Sequence, residues 1–251
     1  MKNRFLLLGI AFVALTSCKT SSLHVNNVQP HQNISINSEL KNDEEIAKII
    51  IPYKQKLDKE MNQKISFAKV DLTKQADNSN LGNLLADYTF DGADVWAKAN
   101  LKKEVDAALI NIGGIRTTIG KGDITLKNVF EVMPFENEVI IIKMKGADLD
   151  GLFEYYAKHK VNNPVSHLYL ETDHEQIVKT LLNGKAVDRN KDYYIATSDY
   201  LALGGDNMKF FLKGEPIPTG IKLRELFIEY FKKNPEINPV EDIRLNFKNK
   251  K

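Results

Sequence analysis

The apolar positions of this 251-residue chain fall into stretches of different period, and the periods predict the elements. Residues 5–15 are a continuous apolar run, and 19–42 are polar, rich in Ser, Asn and Gln, with no sustained period. From Asp43 onward, Ile46, Ile49, Ile50, Tyr53, Leu57 and Met61 recur at three- and four-residue spacing, which predicts a helix that Pro52 should kink or break. "ISFAKVDL" (65–72) predicts a strand. Residues 81–99 predict a helix with Leu84, Leu85, Tyr88, Val95 and Trp96 inward. "DAALINIGG" reads as a strand ending on glycines, 125–133 as a short helix, 138–146 as a strand and 147–159 as a helix. "HLYLETD" and "IVKTLLNGKAV" read as strands with a turn at Asn183-Gly184, a favoured hairpin pair. "DYYIATSDYL" predicts a further strand running into Gly204-Gly205-Asp206. A long helix over 221–233 and a last strand near 243–247 complete the pattern. Strands and helices mix without strict alternation. That predicts the α+β class, a mixed β-sheet with flanking helices, as one domain over 43–251.

Composition changes the picture mainly at the front. Lys2 and Arg4 precede the apolar run, which is too short for a spanning helix and reads as a signal-peptide core over 1–17. Leu15-Thr16-Ser17-Cys18 resembles a bacterial lipobox, so Cys18 is expected to be lipidated and 18–42 to be a flexible tether. The resulting expectation is a membrane-anchored lipoprotein of the periplasm or outer membrane. Cys18 is the one cysteine in the chain, which excludes an intrachain disulfide and leaves stability to a packed core. The chain carries 35 basic and 33 acidic residues, and loss of Lys2 and Arg4 with the leader would leave the two balanced. Such a balance gives no concentrated cationic face for long nucleic acid.

The candidate chemistry lies on two glycine pairs. In Asn111-Ile112-Gly113-Gly114-Ile115-Arg116 the pair lets the backbone turn sharply and approach a ligand. Arg116 brings a planar fork suited to phosphate or carboxylate, and Asn111 both a donor and an acceptor. "SDYLALGGDNMKFF" repeats the design: Gly204-Gly205 is followed by Asp206, an acceptor for sugar hydroxyls, with Tyr200 offering a flat face. Phe135 follows Pro134, whose fixed φ steadies the backbone. Two rings either side of a heterocycle would clamp it by stacking. The plain alternatives are a surface turn bearing an arginine and two ordinary core aromatics.

"NLGNLLAD", "NIGGIR", "G-x-I-T", "MPFEN", "MKGADL" and "YYIATSDYLALGGD" stand in the order found in the C-terminal domain of bacterial and animal 5'-nucleotidases, which this chain resembles over roughly 65–233. The resemblance implies that Phe135 and Tyr200 sandwich a base, that Asn111 contacts the base or its vicinity, that Arg116 meets the phosphate and that Asp206 meets the ribose hydroxyls. Gly113, Gly114, Asn137, Gly204 and Gly205 complete the implied substrate-binding set. Two departures stand out. Where the family has arginines before the "LGN" helix entry, this chain has Gln75-Ala76-Asp77-Asn78 with Lys74 as the nearest cation, and Asp77 would repel phosphate if it faced the pocket. Where the family has Ser-Gly, this chain has Ser166-His167.

The family's chemistry belongs to a separate two-metal phosphatase domain signalled by D-x-H and G-N-H-E, and neither motif occurs here. His24 and His31 fall in the tether, and His159, His167 and His174 are too few for a two-metal clamp. The expectation is therefore no catalytic residue and no metal or cofactor in this chain, with divalent metals held by a partner metallophosphatase. Three readings remain open: the nucleotide-recognising half of a two-chain 5'-nucleotidase, a non-catalytic lipoprotein that captures nucleosides or nucleotides, and a relic scaffold.

Overall fold

A computed structural model of the protein describes residues 40–250 and scattered positions between 25 and 38. The leader, Cys18 and much of the tether lie outside the described residues. The chain divides into a unit of residues 1–48 and a unit of residues 49–251. Asp43 starts the first helix, its Oδ1 accepting from the N–H groups of Glu45 and Ile46 at 2.9 and 3.2 Å. That helix, α1 (Glu44–Met61), runs unbroken through Pro52 and buries none of its residues. Proline removes one backbone donor, and on an exposed helix water can meet the carbonyl left behind. Its apolar stripe is exposed, Ile49 and Tyr53 included.

In the second unit, β1 (Lys64–Ala68) is followed by α2 (Asn80–Asn100), β2 (Ala107–Leu109), β3 (Gly122–Thr125) and α3 (Leu126–Val132). Then come β4 (Glu138–Lys145), α4 (Asp150–His159), β5 (Val165–Ser166), β6 (Leu168–Asp173), β7 (Gln176–Leu182) and β8 (Asp192–Ser198). The chain ends with α5 (Asp199–Ala202), β9 (Glu215–Lys222), α6 (Leu223–Lys233) and β10 (Leu245–Lys248). The central sheet is mixed, in the order β5-β2-β8-β4-β9; β1-β3 and β10-β6-β7 form smaller sheets. The α+β expectation holds.

The middle of the central sheet is buried on both faces, which explains the apolar run over residues 139–142 in β4. Val139 and Ile141 join Ala108 and Ala196 in one core with α2 and α6 residues such as Leu85 and Phe227. Ile140 and Ile142 join Leu109 and Ile195 in a second core with Leu152, Tyr156 and Phe210. The period of two along each strand thus feeds two cores from one sheet.

Several expectations change in detail. The strand expected over 65–72 ends at Ala68, and Leu72 makes only an isolated bridge to Ile119. Val95 is 66% exposed, so α2 turns it outward rather than inward. The β6–β7 hairpin closes at His174-Glu175, while Asn183-Gly184 forms a second tight turn bridging Leu182 to Lys185. The strand expected through Leu201 stops at Ser198, whose hydroxyl accepts from the Leu201 N–H and starts α5, placing Tyr200 on a helical turn. The short strand β3 has no place in the apolar pattern, and β9 is masked by Pro216 and Pro218, which an edge strand tolerates.

The "MKGADL" glycine has a packing reason. A Cβ on Gly146 would lie 2.1 Å from the backbone oxygen of Asp188. Gly146 and Ala147 also donate to the carbonyls of Lys191 and Arg189 at 2.8 and 3.1 Å, so that chain segment cannot swing away. Gly146→Ala is expected to destabilise the protein by about 2 kcal/mol or more through overpacking, read from the midpoint of urea unfolding.

Candidate functional site

Strand directions decide where the candidate residues meet. β2 runs parallel to β8, with Ala107 opposite Ile195, and β4 runs antiparallel to β8, with Val139 opposite Ser198. The chain leaving β2, the chain leaving β8 and the chain entering β4 therefore emerge at one edge of the sheet. Those segments carry Asn111–Arg116, Tyr200–Asp206 and Phe135–Asn137. In sheets of this kind ligands gather outside the carboxyl ends of parallel strands.

The first segment turns as expected. Ile112–Gly114 is a single 3₁₀ turn, and the Asn111 side chain lies over it; a Cβ on Gly114 would sit 3.1 Å from Asn111 Oδ1. Arg116 Nη1 donates to the Gly113 carbonyl at 3.1 Å, and its guanidinium stands 5.9 Å from the centre of the Phe135 ring. Lys74 Nζ donates to the carbonyl of Ile115, which brings a second cation onto the same loop. Asp77, a source of repulsion if it faced the site, is paired with Lys250 Nζ at 2.5 Å.

The second segment is held from behind. Arg224 Nη1 donates to the Phe135 carbonyl at 3.3 Å, another of its nitrogens meets Glu136, and the guanidinium stands 4.4 Å from the Phe130 ring centre. Leu223 N–H donates to the Asn137 carbonyl at 2.9 Å. The Asn137 side-chain amide donates to Asp199 Oδ1 at 2.7 Å, tying the Phe135 loop to the first turn of α5. The rings of Phe135 and Tyr200 are left 43% and 44% exposed, so neither is the core aromatic of the plain alternative.

The third segment is an arrangement of tyrosine hydroxyls around Asp206. Tyr200 Oη donates to Asp206 Oδ1 at 2.7 Å and accepts from the Asp206 N–H at 3.2 Å. Tyr155 Oη donates to the Asp206 carbonyl at 2.9 Å. The hydrogen bond to Asp206 raises the Tyr200 pKa above the ordinary tyrosine value, while burial and then the Asp206 charge raise that of Tyr155. Gly204 sits at φ 87°, and a Cβ on Gly205 would lie 2.6 Å from the Tyr200 ring, so this pair permits both the turn and the close approach of the ring.

Arg224, Asn163, Asp199 and Tyr155 escape the sequence reading. Buried Asn163 accepts from the Ile112 N–H at 2.9 Å and props the glycine turn. Only Arg224 left a signal: a cation in the first turn of a helix opposes the helix dipole and calls for a partner beyond it. The Ser166-His167 departure lies elsewhere, at a cavity of 520 Å³ lined also by Asp87, Asp91, Tyr169 and Arg244, none of them in the Asn111–Asp206 set. His167 adopts φ 56° and stacks on Phe90 at 3.6 Å. His159 lies against Tyr155 and His174 against Asp173. Among the described residues no group of three or more His, Cys, Asp or Glu side chains is placed to hold a metal ion, so no step is assigned to one.

The family model of the 5'-nucleotidase C-terminal domain matches residues 59–213. The chain belongs to that family. It is 26% identical over 220 residues to Protein UshA of Yersinia enterocolitica, covering 82% of this chain and 38% of that protein. To the trifunctional nucleotide phosphoesterase protein YfkN of Bacillus subtilis it is 31% identical over 209 residues, 72% of this chain and 13% of the other. The solved 5'-nucleotidase precursor of Thermus thermophilus superposes with a TM-score of 0.67 at 27% identity, over 82% of this chain and 43% of that one. The chain thus spans less than half the length of these relatives.

Arg224→Met keeps a long side chain against Phe130 and removes the donors to Phe135 and Glu136. Amide exchange across 133–138 is expected to quicken on the order of 10-fold, the scale of one lost local hydrogen bond, as read by hydrogen–deuterium exchange of that peptide.

Proposed function

We propose that this chain recognises the nucleoside portion of a 5'-nucleotide and serves as the substrate-binding half of a phosphomonoester-hydrolysing system in nucleotide catabolism. The observation that carries the reading is the pair of half-exposed rings, Phe135 and Tyr200, at one sheet edge with polar groups of opposite charge about them. The base stacks between the rings, and ring faces accept any base. Lys74 and Arg116, both seated on the Gly113–Arg116 loop, supply the positive charge that a phosphate needs. Asp206 supplies an acceptor for the ribose hydroxyls. Water activation and the divalent metals that serve it are assigned to a separate metallophosphatase chain, and lipidated Cys18 to anchoring this chain at a membrane of the periplasm or the outer membrane. Binding and orienting the nucleotide is the work of this chain's own residues.

One observation favours a second reading, capture of nucleosides without hydrolysis: segment 74–78 offers a single cation, Lys74, before the α2 entry. The Asp77–Lys250 pair weighs the other way, because it offsets the negative charge that would disfavour phosphate.

Calorimetric titration of the full-length chain with adenosine and AMP separates these readings. Wild type is expected to bind AMP more tightly than adenosine. Phe135→Ala should weaken both by roughly 10-fold or more, as loss of one stacked base contact implies. Absence of binding by either ligand would sink the proposal, and adenosine bound without an AMP advantage would favour capture. Lys74→Met should lower the AMP-over-adenosine ratio several-fold, as removal of a charge-assisted hydrogen bond predicts; an unchanged ratio would remove Lys74 from the phosphate side. For the two-chain system, a metallophosphatase that hydrolyses AMP no faster with this chain than without it would count against the pairing.

A further inference from the structure

We propose that the Tyr200 hydroxyl is a positioning group that locks Asp206 for recognition of a sugar diol, so that Tyr200 sets sugar selectivity as well as offering a ring. The inference rests on the nucleoside reading above and deepens it. Tyr200 grips Asp206 twice, through Oδ1 at 2.7 Å and through the backbone N–H at 3.2 Å, while Tyr155 holds the Asp206 carbonyl at 2.9 Å. Asp206 and the following Asn207 sit at φ 50° and 63°, left-handed positions that Asp and Asn adopt more readily than other non-glycine residues. The two tyrosine hydroxyls hold Asp206 in that turn.

The consequence is for the carboxylate. With Oδ1 committed to Tyr200, the plane of the group is fixed, and Oδ2 has no hydrogen-bond partner among the described residues. A ligand hydroxyl then meets one oriented acceptor instead of a rotating pair. Fixing a group in its bound geometry before the ligand arrives removes an entropic cost of binding. A tyrosine hydroxyl is protonated at neutral pH in any case, and the hydrogen bond to Asp206 raises the Tyr200 pKa further. Phenylalanine at this position would preserve the flat face and the approach over Gly205, and would release the acid. The hydroxyl therefore acts through Asp206, and a double-mutant cycle reads that relation directly.

The test titrates the full-length chain with adenosine and with 2',3'-dideoxyadenosine, which has the base and lacks the diol, and takes the ratio of the two Kd values. The ratio is expected to favour adenosine in wild type and to fall about 5- to 10-fold in Tyr200→Phe, the scale of one hydrogen bond's orientation. In an Asp206→Ala background, or in Asp206→Asn should the alanine variant not fold, removal of the hydroxyl should change the ratio no further. A ratio that survives in Tyr200→Phe overturns the proposal. So does an equal fall in the Asp206 backgrounds, because the hydroxyl would then touch the sugar itself. A wild-type protein that binds neither ligand overturns the nucleoside reading and this inference with it, whereas binding with a wild-type ratio near one overturns the inference alone.

Discussion

Antiparallel pairing of β4 with β8 ties the two cores of this molecule to its candidate site. Seven residues of each strand stand in continuous register, from Val139 opposite Ser198 to Lys145 opposite Asp192. A slip by one residue would move Val139 and Ile141 from the α2–α6 core to the opposite core and send Ile140 and Ile142 the other way. It would also displace Phe135 relative to Tyr200, because both lie within a few residues of the strand ends. Packing and site geometry are thus fixed by the same ladder. The Asn137–Asp199 hydrogen bond, just beyond the last paired residues, extends the ladder's order into the loops.

The central elements were legible in the sequence because their signals are strong. "EVIIIKMKG" reads as a strand from its run of β-branched residues, and of the two glycine pairs Gly204-Gly205 marks a turn that other residues make poorly, since Gly204 sits at φ 87°. Ring, cation and acid could be assigned from ordered motifs, and the fold brings Arg116, Phe135, Tyr200 and Asp206 to one sheet edge. What escaped is non-local. Arg224 lies 89 residues from the carbonyl it holds, and Asn163 lies 51 from the N–H it caps. Neither spacing leaves a periodic trace. The α1 stripe correctly marked a helix, but periodicity does not report whether anything covers it, and here no residue of it is buried. Likewise Asp77 looked harmful only because its partner, Lys250, lies 173 residues away.

The relatives mark the shared part of the chain. They share the domain over about four-fifths of this chain, while this chain spans 38% of UshA and 43% of the Thermus precursor. The proposed recognition role needs rigid placement of a few groups, and a sheet packed on two cores is a frame suited to that. The family's arginines before the "LGN" entry are replaced here by Lys74, a single point charge with three donors. On the proposed reading, the anion side would rest on Lys74 and Arg116.

Each polar group of the site is tethered by less than its full capacity. Arg116 has five N–H donors and gives one to Gly113; Lys74 has three and gives one to Ile115; Asp206 has two oxygens and commits one to Tyr200. Every tether runs to the group's own loop or to a neighbouring turn at the same sheet edge. The groups are therefore oriented in the free protein, and each keeps hydrogen-bonding capacity beyond its tether. A site that had to exchange its internal hydrogen bonds for ligand bonds would gain little from each exchange, since net hydrogen-bond energies are small. Partial tethering avoids that cancellation. On the nucleotide reading proposed above, the two half-exposed rings would then supply most of the new contact area.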